Sequence, residues 1–356
     1  MRIGIDISQI VYQTGVSRYT TELVKHLLKI DHQNEYFLYA GSWRQRQFLK
    51  DFFNQVKTGK STLKLSWFSP KLADLFWNRL NLWPPADSLD VFHASNWVLP
   101  RTKSKLVTTI HDLTFLKYPK TLPAYLVAVH TRHLQRAKKY ADQIITVSQS
   151  TKKDLIDYGI PATKIKVVYE AASPIFKPVN PSAAKRKYSL TKPYFLSVGT
   201  LEPRKNIKNL IKAFALLPKR YSPELVIAGK FGWGENYPNH LGVKFIGFIP
   251  DEDLAGLYSG AKAFIYPSLY EGFGLPVLEA MSCGCPVITS NLSSLPEVGG
   301  DAALYVNPED IKAISQAMIV VPKLNLREKS LAQAKKFSWQ NSARETLKIY
   351  QEVAGC

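Results

Sequence analysis

Two carboxylates flank a glycine-rich loop at a point where the sequence changes from strand to helix character. The apolar run 263–266 is stopped by proline, and apolar residues at helical spacing over 275–281 predict that a helix follows. Glu271 lies in the loop, and Glu279 falls about two turns into the helix at ~3.6 residues per turn. The pattern therefore predicts two carboxylates at the mouth of a helix N-terminus.

This arrangement suits a ligand that carries both phosphate and hydroxyl groups. Gly272 and Gly274 allow backbone amides to approach a ligand closely, and the positive end of the helix dipole favours phosphate. Glu271 and Glu279 can accept hydrogen bonds from different hydroxyls of one ligand. Alternatively, Glu271 only complements the helix dipole and Glu279 is a solvated helix residue. The spacing alone leaves both interpretations open.

A second group of polar residues follows the predicted strand 194–198. Gly199 and Thr200 are followed by Arg204 and Lys205, and a helix is predicted from Ile207. Arginine offers a planar fork of donors and lysine a compact charge, which together suit a phosphate. Adjacent cations on protein surfaces are usually only solvated, so the type of residue does not decide the matter by itself.

Two candidate sites in the first half of the chain also follow predicted strands. His111 follows the buried strand 105–110, at the carboxyl end where open α/β sheets bind their ligands. A lone His-Asp pair can equally be a satisfied turn. Near the start, the strand 2–7 leads to Gly15 and a helix through about Lys29. This opening is Rossmann-like, but a single glycine without G-x-G-x-x-G is a weak signal.

The order of elements predicts an α/β fold with two Rossmann-like domains, each built on a doubly wound parallel sheet. At 356 residues the chain exceeds what one core usually supports. We expect domains over 1–180 and 181–338, with a terminal helix over 339–356 packing back on the first. Further strands are expected in the first half at 36–40, 63–68, 91–94, 106–110, 143–147 and 166–169.

Composition narrows the class of protein. The chain is 46% hydrophobic and 21% charged, and no run approaches the ~18 uncharged apolar residues that a bilayer span requires. A strand at the very start predicts an intracellular protein. Cys283 and Cys285 are expected as reduced core residues, and the scattered histidines predict no metal site.

The net charge of +19 is concentrated in residues 1–180, which hold 26 basic and 13 acidic side chains. Such a surface attracts nucleic acid, anionic lipid or anionic substrates, and charge alone does not choose among them. The tract from Trp67 to Trp83 interleaves aromatic and basic residues, including Trp77 and Arg79. It suits a membrane interface or an acceptor cleft, although a helix packed on its own domain explains it equally well.

The stretch from Phe264 to Gly284 resembles the glutamate-pair motif of a large family of retaining glycosyltransferases, glycosyltransferase family 4 or group 1. That family includes sucrose synthase and bacterial O-antigen mannosyltransferases. The resemblance spans nearly the whole chain, is strongest over 197–206 and 264–308, and is weakest over 41–104. It implies the GT-B architecture, in which two Rossmann-like domains face each other across a cleft.

The resemblance also implies roles for individual residues. Glu271 would contact the transferred sugar with His111 beside it, and Glu279 would hold the ribose of the donor. Phe248 and Ile249 would line the slot for the nucleobase. The residues implied for the donor diphosphate are Gly15, Gly199, Thr200, Arg204, Lys205, Gly272, Phe273 and Gly274. No metal or cofactor is implied beyond the nucleotide-sugar substrate.

The expected activity is transfer of a hexose, with mannose from GDP-mannose favoured and a UDP-sugar as the alternative donor. The expected acceptor is a saccharide or a polyprenyl-pyrophosphate-linked saccharide, with the protein cytoplasmic and docked on the inner face of the membrane. A sugar-nucleotide epimerase or a phosphorylase shares the architecture. A basic nucleic-acid-binding protein is the rival from another class, but it does not explain polar motifs at strand ends.

Overall fold

The computed structural model describes residues 1–12, 14–42, 44–67, 72, 74–80, 82, 88–94, 98–218, 223–233, 237 and 240–355. The chain divides into two compact units. The first comprises Met1–Glu170 together with Trp339–Cys356, and the second comprises Ala171–Ser338.

The first unit is built on a sheet of seven parallel strands in the order β3-β2-β1-β4-β5-β6-β7. Most of the central strands are buried along their length, as expected when helices cover both faces of a parallel sheet. The strand order reverses between β1 and β4, which creates a switch point. The strands are β1 Arg2–Asp6, β2 Glu35–Gly41, β3 Ser61–Ser66, β4 Val91–Ala94, β5 Lys105–Ile110, β6 Gln143–Thr146 and β7 Ile165–Val167.

The helices of this unit follow the apolar periodicity of the sequence. The first, Gly15–Ile30, begins at a capping box formed by Thr14 and Ser17, and it buries Tyr19 and Leu23 against the sheet. A π-helix spans Asp74–Arg79. The α-helices are α1 Gly15–Ile30, α2 Arg46–Val56, α3 Thr114–Lys117, α4 Ala124–Tyr140 and α5 Gln149–Asp157.

The terminal helix, Trp339–Ala354, belongs to the first unit, as the fold prediction implied. Its Ser342 hydroxyl donates to the Tyr169 carbonyl at 2.6 Å. The Tyr350 hydroxyl lies 2.6 Å from Nδ1 of the buried His93 on β4. These bonds tie the last helix to the central strand β4 and to the segment that follows the edge strand β7.

The second unit contains six parallel strands in the order β10-β9-β8-β11-β12-β13, so its switch point lies between β8 and β11. The strands are β8 Tyr194–Val198, β9 Glu224–Ala228, β10 Val243–Gly247, β11 Ala263–Tyr266, β12 Val287–Ser290 and β13 Ala303–Val306. The helices are α6 Ser182–Lys187, α7 Ile207–Ala215, α8 Asp251–Gly260, α9 Leu275–Ser282, α10 Leu295–Gly299, α11 Ile311–Val320, α12 Arg327–Ala334 and, in the first unit, α13 Trp339–Ala354.

The predicted fold class is confirmed, and the expected strands occur with ends shifted by a few residues. The expected strand 63–68 runs instead over Ser61–Ser66, and Phe68 lies outside the described residues. Cys283 and Cys285 are buried free thiols, and burial raises the pKa of Cys283 to about 12. Within the described residues, no helix combines the length and apolar character needed to cross a bilayer.

Candidate active site

The main cluster of charged side chains lies at the switch point of the second sheet. Arg204 and Lys205 follow β8, and Glu271 follows β11, so neighbouring strand ends bring them together. The Lys205 ammonium donates to Glu271 Oε1 at 2.6 Å and to the Tyr266 hydroxyl at 2.5 Å. The structure thus joins two elements that are far apart in sequence at a ligand-binding position of the fold.

Arg204 completes the cluster from the other side of Glu271. Its Nη1 lies 2.7 Å from Glu271 Oε2 and donates to the Tyr270 carbonyl at 2.6 Å. Its Nη2 donates to Glu202 Oε1 at 2.6 Å. Two cations and two carboxylates therefore alternate in a largely buried network, so the interpretation of Arg204 and Lys205 as a merely solvated pair is wrong.

Burial and neighbouring charges shift the pKa of Glu271 in opposite directions. Burial raises the pKa of Glu271, but Arg204 and Lys205 outweigh burial and hold the pKa at about 2. Burial, followed by the Arg204 charge, lowers the pKa of Lys205 despite the attraction of Glu271. The pKa of Glu271 falls despite burial because two cations face its carboxylate. The pKa of Lys205 falls because burial and the neighbouring Arg204 cation both disfavour its charge. Glu271 is consequently ionised at neutral pH.

Hydroxyl groups fix the loop that carries Glu271. Ser268 donates to Glu271 Oε1 at 2.6 Å, and the Glu271 amide donates to Ser293 Oγ at 2.9 Å. Ser294 donates to the carbonyls of Glu271 and Phe273 at 3.0 and 2.8 Å. Ser293 adopts φ 51°, a left-handed conformation that a non-glycine residue rarely takes without external support. The side chain, amide and carbonyl of Glu271 are thus all held.

The glycine-rich loop ends where the sequence predicted. Gly274 has φ 111° and immediately precedes the helix Leu275–Ser282. The Phe273 side chain is buried and packs edge-on against Phe337 with ring centroids 5.6 Å apart. Phe273 therefore has only its main chain to offer a diphosphate. Gly272 lies between the held residue Glu271 and Phe273.

Glu279 is almost fully buried, with 2% of its surface exposed, so the interpretation as a solvated helix residue is wrong. The Tyr258 hydroxyl donates to Glu279 Oε2 at 3.3 Å. Burying a carboxylate has a desolvation cost, which a ligand that donates hydrogen bonds to Glu279 would offset.

The backbone at the end of β8 lies unusually close to the neighbouring strand end. A side chain on Gly229 would place its Cβ 1.8 Å from the Gly199 carbonyl oxygen, so only glycine fits there. Thr200 is exposed beside this contact. Asn206, with φ 59°, donates to the carbonyls of Pro267 and Pro308 at 3.2 and 2.7 Å. These contacts fix the segment that carries the two cations.

The two residues expected near the nucleobase differ in exposure. Phe248 follows β10, is 55% exposed, and has the Lys230 ammonium 4.9 Å from its ring centroid. Ile249 is buried. Only Phe248 of the two therefore presents a substantial side-chain surface, directly after the end of β10 at Gly247.

In the first unit, His111 is buried at the end of β5. Its Nδ1 lies 3.2 Å from Glu170 Oε1, and Thr151 donates to its carbonyl at 3.2 Å. The ring of Tyr19 packs edge-on against the imidazole, with centroids 4.7 Å apart. Among the described residues, His111 Nε2 has no hydrogen-bond partner. The alternative of a satisfied turn therefore does not account for the side chain.

Gly15 is the first residue of its helix, and a Cβ there would meet no atom within 4 Å. Open space at this position leaves room for a ligand beside the start of the helix. Gly15 and His111 belong to the first unit, whereas the predicted donor-site residues around Lys205 belong to the second. Within the second unit, Arg204, Lys205 and Glu271 are in direct contact.

The sequence analysis did not identify several residues of these clusters. Glu202 could have been found, because it lies two residues before Arg204 in the same motif. Glu170 could also have been found, because it follows β7 at the ligand-binding edge of the sheet. Ser293 and Ser294 had no such signal, since ordinary surface serines look the same in sequence.

The aromatic and basic tract is only partly described. Trp67 is 66% exposed, with the Arg46 guanidinium 4.1 Å from its ring centroid. Trp77 is instead buried and packs against Val98, so it is not available to enter a bilayer. Phe68, Lys71, Trp83 and the side chain of Arg79 lie outside the described residues.

Comparison with known proteins identifies the class. Residues 13–173 match the family model Glycosyltransferase Family 4, and residues 181–337 match Glycosyl transferases group 1. The Escherichia coli O-antigen chain mannosyltransferase B is 36% identical over 373 residues, covering 95% of this chain and 96% of that protein. The chain therefore belongs to this glycosyltransferase family and is a glycosyltransferase.

Solved structures show the same architecture. Anabaena Alr3699/HepE in complex with UDP and glucose superimposes with a TM-score of 0.74 at 17% identity, covering 99% of this chain and 100% of that one. WaaG, a glycosyltransferase involved in lipopolysaccharide biosynthesis, gives a TM-score of 0.66 at 15% identity with complete coverage of both chains. The predicted GT-B fold is confirmed, and family membership supports the glycosyltransferase interpretation over the nucleic-acid-binding rival.

Proposed function

We propose that this glycosyltransferase transfers mannose from GDP-mannose to a saccharide or polyprenyl-pyrophosphate-linked acceptor during cell-surface polysaccharide synthesis. The observation that carries the choice of mannose is the similarity to O-antigen chain mannosyltransferase B over 95% of the chain. A UDP-sugar is the alternative donor, and the Anabaena structure that contains UDP and glucose supports that alternative through the shared fold only.

The electrostatic demand of such a reaction is the departure of the nucleoside diphosphate. In the proposed mechanism, Arg204 and Lys205 stabilise its developing charge together with the amides of 272–274 at the start of the helix Leu275–Ser282. These groups are fixed before the ligand arrives, since Glu271 and Glu202 hold the two cations in place. Preorganised charge of this kind costs no rearrangement during the reaction.

The remaining residues take the roles implied by the family. Glu271 would accept hydrogen bonds from the transferred hexose, His111 would lie beside that sugar, and Glu279 would bind the donor ribose. No metal ion is part of this proposal, and the sugar would be transferred with retention at its anomeric carbon. The supporting observation is the contact of Glu271 with both cations, which is the arrangement expected if a sugar-binding carboxylate lies beside the groups that bind the diphosphate.

A thermal-shift panel with GDP, UDP, ADP and GDP-mannose, each in EDTA and in magnesium, tests the donor and the metal independence. We expect GDP and GDP-mannose to raise the melting temperature equally with and without magnesium. Protection by UDP but not by GDP would overturn the donor, and protection only in magnesium would overturn metal independence. Product anomers are then read by proton NMR on a synthetic mannoside acceptor, where inversion would contradict retention.

We also propose that the basic first unit docks on anionic membrane, where a lipid-linked acceptor resides. Its support is the charge excess of residues 1–180 and the exposed ring of Trp67 beside Arg46. Basic residues contribute ~1 kcal/mol each near an anionic surface, and salt screens them. Co-sedimentation with phosphatidylserine vesicles should fall at high salt and in a Trp67→Ala variant. Absence of binding at low salt would exclude docking.

A further inference from the structure

His111 and Glu170 lie on either side of β6, because they follow β5 and β7 in the first sheet. Their side chains meet across it, with Nδ1 3.2 Å from Oε1. Both are largely removed from solvent, with 10% and 5% of the side-chain surface exposed. A carboxylate buried beside an imidazole at the ligand-binding edge of a sheet has a chemical consequence for that imidazole.

The consequence is the placement of the imidazole proton. An ionised carboxylate only accepts hydrogen bonds, so the contact is made when Nδ1 of His111 carries a hydrogen and donates it. The hydrogen bond made by one ring nitrogen of a histidine sets the state of the other. Nε2 has no partner among the described residues and is thereby left for a ligand.

Tyr19 also fixes the orientation of the His111 imidazole, on a different side from Glu170. The edge of Tyr19 meets the imidazole at an interplanar angle of 87°, and the Tyr19 hydroxyl lies 3.1 Å from Thr109 Oγ1. Thr109 Oγ1 lies 2.8 Å from Nε2 of His93. Burial, followed by the His111 charge, lowers the pKa of His93 to about 3, so His93 stays neutral within this network.

We propose that Glu170 is a positioning residue, which keeps a proton on Nδ1 of His111 and turns Nε2 toward the transferred sugar. The identity of that ligand rests on the proposed function, whereas the protonation of Nδ1 does not. Glu170 touches no reacting atom in this proposal. It acts through His111, in the way that a carboxylate hydrogen-bonded to a histidine orients the imidazole in other enzymes.

The protonation is measured on the full chain labelled with ¹⁵N-histidine, without any substrate. Two-bond ¹H–¹⁵N correlation spectra distinguish a protonated Nδ1 from an unprotonated one, and a His111→Asn variant assigns the signals. We expect Nδ1 of His111 to be protonated in the wild type and to lose that preference in Glu170→Leu. An unprotonated Nδ1 in the wild type, or an identical pattern in Glu170→Leu, would overturn the proposal.

Kinetics supply the second readout. Glu170→Leu should lower kcat about 10- to 100-fold, the loss expected for one charge-assisted hydrogen bond, with a smaller change in KM. Glu170→Gln should recover part of the rate, because its amide oxygen can still accept from Nδ1. If the leucine variant does not fold, Glu170→Met replaces it in both experiments, because its thioether is only a weak acceptor for Nδ1. The matched control is Glu22→Leu, whose carboxylate lies 3.8 Å from Nδ1 of His26, and it should leave kcat unchanged.

A double-mutant cycle separates positioning from general damage. In a His111→Asn background, Glu170→Leu should have no further effect on kcat, since the residue through which it acts is absent. An equal loss in both backgrounds would contradict the proposal. If no nucleotide sugar supports transfer by the wild type, the proposed function fails, while the NMR measurement still decides the role of Glu170.

Discussion

The Lys205 ammonium donates a 2.6 Å hydrogen bond to Oε1 of Glu271, a residue 66 positions later in the chain. The contact links the end of β8 to the end of β11 across the switch point of the second sheet. Each partner is about one-tenth exposed at its side chain, so neither charge is well hydrated. Removing either partner therefore leaves a charge that the protein has already desolvated.

Arg204→Ala should destabilise the protein by about 3–5 kcal/mol, the cost of breaking a buried ion pair from one side. The change leaves Glu202 without its 2.6 Å partner and removes one of the two cations at Glu271. Thermal or urea unfolding measures the loss. The control is Lys187→Ala, whose exposed pair with Asp253 should contribute about 0–1 kcal/mol. Equal losses in the two variants would contradict the account.

Glu271→Ala and Glu279→Ala should affect different steps. Glu271 lies among the cations at the proposed sugar position, so its loss should lower kcat more than it weakens GDP binding. Glu279 lies in the helix Leu275–Ser282, where it is buried and accepts a hydrogen bond from Tyr258. Loss of Glu279 should therefore weaken binding of GDP itself. Calorimetry with GDP and initial-rate kinetics separate the two. The same pattern in both variants would remove the proposed division of roles.

The ionisation of Glu271 predicts a specific acid sensitivity. Its folded-state pKa of about 2 lies below the ordinary glutamate value, so its contribution to stability is present above pH ~4.3 and is lost as the pH falls toward 2. The difference in melting temperature between wild type and Glu271→Gln should therefore shrink over that range. Glu35→Gln, at an exposed pair with Arg2, should show little difference at any pH. A constant difference for Glu271→Gln would contradict this.

Gly15→Ala tests whether the first helix faces the donor. Because a Cβ there meets no atom within 4 Å and the backbone is helical, alanine should stabilise the protein by roughly 0.4–1 kcal/mol through the lower entropy of the unfolded chain. A diphosphate near the amide would instead be displaced by the added methyl group, so GDP affinity should fall. Increased stability with unchanged GDP affinity would remove Gly15 from the binding site.

The sequence predicted the parts of the site that depend on local signals. Strand ends, glycines and the helix start placed Glu271, Lys205 and His111 at ligand-binding edges, because parallel sheets bind there regardless of the remaining contacts. It did not predict the partners that hold these residues. Ser293 supports Glu271 through a backbone conformation with φ 51°, which has no sequence signature in a serine.

The sequence also did not predict contacts between residues that are distant in the chain, because no local pattern encodes them. The bond between Glu170 and His111 depends on the spatial order of β5, β6 and β7, which the sequence does not encode locally. The sequence around Trp77 left a membrane interface, an acceptor cleft and packing on its own domain open, and tertiary packing buries Trp77 against Val98. In both cases the decisive contact joins segments that are distant in the chain.

Calorimetric titration of GDP in EDTA, into the wild type and into Lys205→Met, tests the central claim most directly. We predict that the wild type binds GDP without metal. Lys205→Met should bind it about 10- to 100-fold more weakly, because a charge-assisted contact of about 1.5–3 kcal/mol is lost. Lys212→Met, on an exposed helix position, should bind like the wild type. Equal GDP affinity in the wild type and Lys205→Met would contradict the account.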